Sequence, residues 1–389
     1  MTTTKRVWYL IVVAFAAAVV GLLLWIGAGM QVRTSPVASG RPAVPTAPVF
    51  AAETVAVDSS AQDLTSFEQR QLPAVAGGTP GSAATGPGVW DLCGIGRLPK
   101  PPGSAASGAG DWFDGLPPQL GSDAVAAGME QLAKRLAAGD ARSRAALIVL
   151  GASADALGTP SRQLADLAQS SRDPVIALWA LQRCNRGPRG CPASTVANLV
   201  PMDPDNIAFQ LWQIAAEPQR SERLFARMAQ AGRFRMYDGS LLATVQAAMP
   251  ADLLPYIQQE IWVVVLGVEA AQSYPAFQSL TNHCRPGKHA TPDRAVACHD
   301  IAQTLIATSD SLLGELIGLR IALWTGMPQS EFDARRAALH SIPPSPWDEG
   351  QPRSCASIER FKAQVELRAR EGEMGVRRAA AAAASQAQR

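Results

Sequence analysis

The chain has 389 residues and a formal net charge of +2, with 47% hydrophobic and only 17% charged residues. The length and apolar content are enough for a sizeable core. The near-neutral balance gives no electrostatic case for nucleic-acid binding, and no nucleic-acid partner is expected.

Residues 7–30, VWYLIVVAFAAAVVGLLLWIGAGM, contain no charged side chain. As a helix they cover roughly 36 Å, enough for ~30 Å of hydrocarbon. Trp8 and Tyr9 stand at one end and Trp25 near the other, where amphipathic rings favour the membrane interfaces. The expectation is one uncleaved transmembrane anchor over residues 1–30. A cleaved signal peptide is the rival, but its apolar core is usually shorter, and GAGMQV is a poor cleavage site. Lys5 and Arg6 precede the span, while Arg33 and Arg41 follow it. The slight positive-inside bias puts the N-terminus in the cytoplasm and the bulk outside. Arginine outnumbers lysine 30 to 5, a coding bias of GC-rich bacterial genomes. The expected location is therefore a bacterial inner membrane, with most of the chain in the periplasm.

Residues 31–88, rich in Pro, Ala, Ser and Gly, read as a disordered linker that cannot bury enough apolar surface to offset ordering entropy. VWDLC, residues 89–93, is apolar enough to dock on the folded domain. From Ser122 onward the pattern is all-α. Thr159-Pro160, Asp173-Pro174, Asp203-Pro204 and Thr291-Pro292 each set a capping oxygen before a proline, the residue best suited to the first helical position. Ser122 and Asp140 are further candidate caps. Later helices are expected over 220–231, 238–248, 251–280, 293–308, 311–325 and 330–341. The run IWVVVLGV, 261–268, suits a buried helix, although its β-branched core would also suit a strand. No alternating strand or hairpin stands out. The domain is taken as 89–355, followed by a charged C-terminal helix and Ala-rich tail, 356–389, expected to be exposed or frayed. Trp179, Trp212, Trp262 and Trp324 fall on apolar helical faces and read as core.

All six cysteines come after the apolar span. In an oxidising compartment they suit three bridges. Loop lengths suggest Cys184 with Cys191 and Cys284 with Cys298, leaving Cys93 with Cys355. Buried free thiols are the alternative. The cluster NHCRPGKHATPDRAVACHD, 282–300, also offers His283, Cys284, His289, Cys298 and His299 as zinc ligands, but the 14-residue Cys spacing favours a loop-closing disulfide. His340 lies near a helix end. No phosphate-binding, nucleophile-elbow or zinc-protease motif is present, and no metal or cofactor is expected.

The Leu178-Trp179 and Leu211-Trp212 pairs lie 33 residues apart. LVPMDPDNIAFQLWQIAAE, 199–217, resembles the junction and first helix of a tetratricopeptide-type repeat. With ALWALQRC, CHDIAQTLI and LLGELIGLRIALW, the chain also resembles uncharacterised proteobacterial membrane-anchored helical proteins. The resemblance implies a helical-hairpin or solenoid-like domain and carries no activity. The expected role is a membrane-tethered interaction or scaffold protein with a protein or peptide partner. A cell-envelope hydrolase, or a ligand-binding sensor with a site assembled from scattered residues, is the alternative.

Overall fold

The computed structural model describes residues 89–99, 120–151, 159–184, 191–287, 291–340 and 353–387. The expected anchor, the linker and His289 lie outside the described residues. Among those described, no helix is long and apolar enough to cross a membrane.

A short hairpin opens the described chain. Strand β1, Val89–Leu92, pairs antiparallel with β2, Gly96–Pro99. It is not evident in the sequence, because four-residue strands are too short to show alternation. Leu92 and Cys93 are buried, so the VWDLC segment does dock.

Fourteen helices follow among the described residues. The first five are α1 Ser122–Ala138, α2 Ala141–Gly151, α3 Thr159–Ser171, α4 Pro174–Cys184 and α5 Ala193–Leu199. Then come α6 Ile207–Ala216, α7 Ser221–Met228, α8 Ser240–Ala248, α9 Pro255–Ala270 and α10 Phe277–Cys284. The last four are α11 Pro292–Thr308, α12 Leu312–Trp324, α13 Gln329–His340 and α14 Cys355–Ala387.

Several starts obey the capping logic. The Asp140 carboxylate accepts the Ser143 N–H at 2.8 Å, Asp173 accepts that of Val175 at 2.8 Å, and Thr291 accepts that of Arg294 at 3.3 Å. Each satisfies an N–H that the first helical turn cannot pair internally. Ser122 is not a cap; it already lies inside α1, after Gly121. The segment expected as one helix over 251–280 is two, α9 and α10, with Pro275 between them. Within α9, Ile257, Ile261 and Val265 are buried at four-residue spacing, so 261–268 is helical despite its valines.

Side chains pack into two cores. The first collects α1 to α5, α8, α9 and the opening of α14. The second collects α7, α10, α11, α12 and α13. Two helices join them. Helix α6 turns Phe209 and Trp212 to the first core, and Ile207, Leu211 and Ile214 to the second. Helix α14 gives Ile358, Phe361 and Val365 to the first and Met374 to the second. The C-terminal helix is therefore part of the folded body, and only its Ala-rich end beyond Arg378 is mostly exposed. Trp179, Trp212 and Trp262 are buried and Trp324 is half-buried, with the Arg320 guanidinium 5.5 Å from its ring centre.

Helix α14 breaks its regular path at Gly372, where φ is +72°. That conformation favours glycine. A Cβ there would also lie 2.8 Å from the Asp310 carbonyl oxygen. Gly239, just before α8, has φ +83°, and a Cβ on it would collide with the Arg368 carbonyl oxygen. Both glycines thus let the loop before α8, the start of α12 and the kinked α14 meet closely between the cores.

Candidate functional site

That meeting point is dense in charge. The Asp238 carboxylate accepts the Glu373 N–H at 2.6 Å and an Arg368 N–H at 2.9 Å. Asp310, just before α12, accepts the N–H groups of Met236 at 2.8 Å and Asp238 at 3.3 Å. Glu373 accepts the Leu312 N–H at 2.9 Å and pairs with Arg377 at 3.3 Å. Glu269, near the end of α9, accepts the N–H groups of Leu241 and Leu242 through one oxygen, at 3.1 and 3.2 Å. It therefore caps α8 from another helix, where the positive end of the helix dipole favours an anion. Its second oxygen stands 3.7 Å from the Arg368 guanidinium and makes no hydrogen bond.

Asp238, Glu269 and Glu373 thus share the Arg368 and Arg377 guanidiniums in a largely buried space, and Asp310 feels Arg235. Burial pushes the Glu269 carboxyl up to about 7, and the neighbouring Asp238 charge adds to the rise. Burial likewise carries Asp310 to about 6 and raises Asp238. Burial works against the Arg368 charge, but Asp238, Glu269 and Glu373 outweigh it and hold the guanidinium above its usual value. The backbone is strained here as well. Tyr237 sits at φ +53°, an uncommon conformation for a bulky residue. Its hydroxyl donates to Asp203 at 2.6 Å.

Asp203 belongs to an adjoining network, not to a helix cap as its Asp-Pro signal suggested. It is buried and accepts from Arg233 at 2.5 Å and from Asn206 at 2.7 Å. Asn206 is the residue that caps α6, through the Ala208 N–H at 3.1 Å. The sequence Asp203-Pro204-Asp205-Asn206 delays the helix by three residues and spends Asp203 on fixing the 233–237 loop.

The expected cysteine pairs all come together. Cys93 and Cys355, Cys184 and Cys191, and Cys284 and Cys298 form disulfides with Cα separations of 4.6, 5.1 and 5.6 Å, within the range that disulfide geometry demands. The first ties the hairpin to the start of α14. Beside it, Arg353 pairs with Glu260 of α9 at 2.8 Å, and its carbonyl accepts the Cys93 N–H at 3.0 Å. The candidate zinc ligands are dispersed. Cys284 and Cys298 are bridged, His299 is exposed, and His283 is buried with its ring stacked 3.7 Å from Phe225. Burial lowers His283 to about 4, so it is neutral at ordinary pH. Among the described residues no group of three or more His, Cys, Asp and Glu converges as a metal site.

Two cavities flank the charged junction. One, of about 180 Å³, lies between α9 and α14 beside Leu266, Phe361, Val365 and Arg368. The other, of about 30 Å³, is lined by Trp179 and Gln182 of α4, Tyr237, Asp238, Glu269 and Tyr274, among others. The second has room for one or two waters.

The raised carboxyls make a testable statement about pH. For Glu269 the folded value, about 7, exceeds the ordinary 4.5. Between these values the folded chain holds more protons than the unfolded one, so this group's contribution to stability falls as pH rises. Glu269→Gln removes that penalty. The variant is expected to match the wild type at pH 5 and to be more stable at pH 8, by roughly 1–3 kcal/mol. Urea unfolding at both pH values measures it; a variant less stable at pH 8 than at pH 5, relative to wild type, contradicts the assignment. His283 acts in the opposite sense, losing stability as pH falls below 6.5, and cancels from this comparison.

No family model matches the chain, and neither a curated protein nor a solved structure matches it.

Proposed function

We propose that this is a membrane-tethered, extracytoplasmic interaction domain, held to a bacterial inner membrane by residues 7–30, that docks an apolar helix of a partner protein on α9. The three disulfides support an oxidising compartment. The observation that carries the docking surface is the outer face of α9. Val263 and Val264 are 39% and 43% exposed. Gly267, Ala270 and Ala271 continue the same face and are exposed too. No charged side chain interrupts it from Val263 to Ala271, apart from Glu269, whose buried side chain points to the junction.

Gly267 is the informative member. A glycine inside a helix costs about 0.5–1 kcal/mol relative to alanine. Its own fold does not require one, because a Cβ built there meets nothing within 4 Å. A small residue one turn after the exposed valines lets another helix approach closely, as small residues do wherever helix backbones pack tightly. The adjoining 180 Å³ cavity, with Leu266 and Phe361 in its wall, offers a seat for one apolar side chain of that helix.

The scattered carboxylates do not favour the hydrolase alternative. Asp238, Asp310 and Glu373 are occupied by backbone and guanidinium donors, and the cavity beside Glu269 admits no more than a small head group.

Site-specific photocrosslinking tests the docking face. A crosslinker at Val264 in the full chain, in intact cells, should give one discrete heterologous product that is lost in Gly267→Leu and missing when the crosslinker stands at exposed Arg144. No product from Val264, or equal products from both positions, rejects the surface. A product of twice the chain mass makes the partner a second copy and rejects the heterologous reading. A phosphatase fused at the C-terminus should be active; an inactive fusion rejects the extracytoplasmic placement.

A further inference from the structure

The small cavity beside Glu269 is lined by two residues that each carry an acceptor without a hydrogen bond, although Arg368 Nε, itself without one, faces the Glu269 oxygen at 3.7 Å. The Glu269 side chain is 7% exposed and its second carboxylate oxygen accepts no hydrogen bond. Gln182 is 4% exposed, and its amide oxygen is likewise without a donor. These two come from α9 and α4, far apart in sequence, and line the same space. Buried acceptors are nearly always paired, because leaving one dry costs as much as a lost hydrogen bond. The remaining wall is chemically consistent with them. Asp238 adds negative charge, Trp179, Tyr237 and Tyr274 add aromatic surface, and Ser311 closes one side.

We infer that this cavity binds the primary ammonium group of a small aliphatic amine, with Glu269 and Gln182 as its acceptors. An ammonium is nearly the size of a water and carries three donors on one positive centre. It adds donors for both acceptors, and positive charge beyond the one guanidinium, Arg368, that Asp238 and Glu269 already share, in a space that admits only a head group. Aromatic walls favour a cation over a neutral molecule. The aliphatic tail leaves past Tyr274, which is 43% exposed. The site is independent of the docking face on α9, although both draw on that helix.

Every charged or titratable group near Glu269 enters the pH dependence: Arg368 of α14, Asp238 and Tyr237 before α8, and Tyr274 after α9. Further out, Asp310 and Glu373 act on Asp238. Of these, Glu269 itself changes charge near pH 7, while an alkylammonium, like lysine, stays protonated to about pH 10. Binding needs the carboxylate, so affinity should rise about tenfold from pH 6 to pH 8.

Calorimetric titration of the purified full chain with n-butylammonium chloride tests the site. The expected result is saturable binding at pH 8 that is about tenfold weaker at pH 6 and at least tenfold weaker in Glu269→Gln. Butan-1-ol, which has the same tail without the charge, and sodium chloride at equal ionic strength should give no saturable signal. If butylammonium behaves like butan-1-ol, the cavity holds water only and the inference is overturned. If sodium saturates the site equally well, the donors are irrelevant and the inference is also overturned. The wild-type comparison of amine, alcohol and salt decides the matter even if the variant fails to fold.

Discussion

Replacing Arg368 by methionine should destabilise the chain by about 3–5 kcal/mol at pH 8 and clearly less at pH 5. The guanidinium pairs with Asp238 at 2.9 Å and faces Glu269 at 3.7 Å. Removing one partner from a buried charge cluster leaves the others uncompensated, which is costlier than the pair was stabilising. Methionine keeps the length and most of the apolar contact, so the measured loss reports charge. The pH dependence follows from the sign of the carboxyl shifts. Without Arg368 the carboxyls rise further above their ordinary values, and the folded chain takes up protons that relieve repulsion as pH falls. Urea unfolding of Arg368→Met and wild type at pH 5 and pH 8 gives the comparison. An equal cost at both pH values would show that Arg368 matters through packing, not through the carboxylates.

Loss of the Cys93–Cys355 bridge should be the most damaging of the three disulfide removals. It closes a separation of 262 residues, against 14 for Cys284–Cys298 and 7 for Cys184–Cys191. In the chain-entropy model these correspond to roughly 5.5, 3 and 2.5 kcal/mol. A domain of ordinary stability, about 5–15 kcal/mol, has little left after the first. The contacts around it reinforce the order. The Cys93 N–H bonds the Arg353 carbonyl, and Arg353 pairs with the buried Glu260. Freeing Cys93 therefore loosens a second buried charge pair. Alanine replacement of each pair in turn, with thermal unfolding of each variant, should rank them in this order. A Cys184–Cys191 variant less stable than the Cys93–Cys355 variant would reverse the account.

Local signals read well from the sequence. Asp140, Asp173 and Thr291 cap where their side chains and the next residues suggest, because an N-cap involves only the three positions after it. The cysteine pairs are legible because two loops are short and one pair remains. Asp203 shows the limit. Its Asp-Pro signal is the same as that of Asp173, yet its carboxylate is taken by Arg233 and Tyr237, 30 and 34 residues on. A local rule cannot see a distant donor. The C-terminal helix is underestimated in the sequence for a similar reason. Its charges suggest solvent, but Arg368 and Glu373 are the counter-ions and acceptors of the junction. The candidate site itself is invisible in sequence. Asp238, Glu269, Asp310 and Glu373 lie on separate elements, and each alone looks like a surface charge. The trace that exists is Asp238-Gly239 and Gly372-Glu373, acids beside glycines in a chain with few charges, where the backbone turns tightly enough for three segments to meet.

Burial, with the Asp238 charge beside it, should lift the Glu269 carboxyl to about 7. Carbon-13 NMR of side-chain carboxyls in glutamate-labelled full chain measures this directly, with Glu269→Gln identifying the resonance. The resonance missing from the variant should titrate with a midpoint near 7. A midpoint at or below the ordinary 4.5 would mean that Arg368 and the α8 N–H groups fully compensate Glu269, and it would contradict both the raised carboxyl and the cation site built on it.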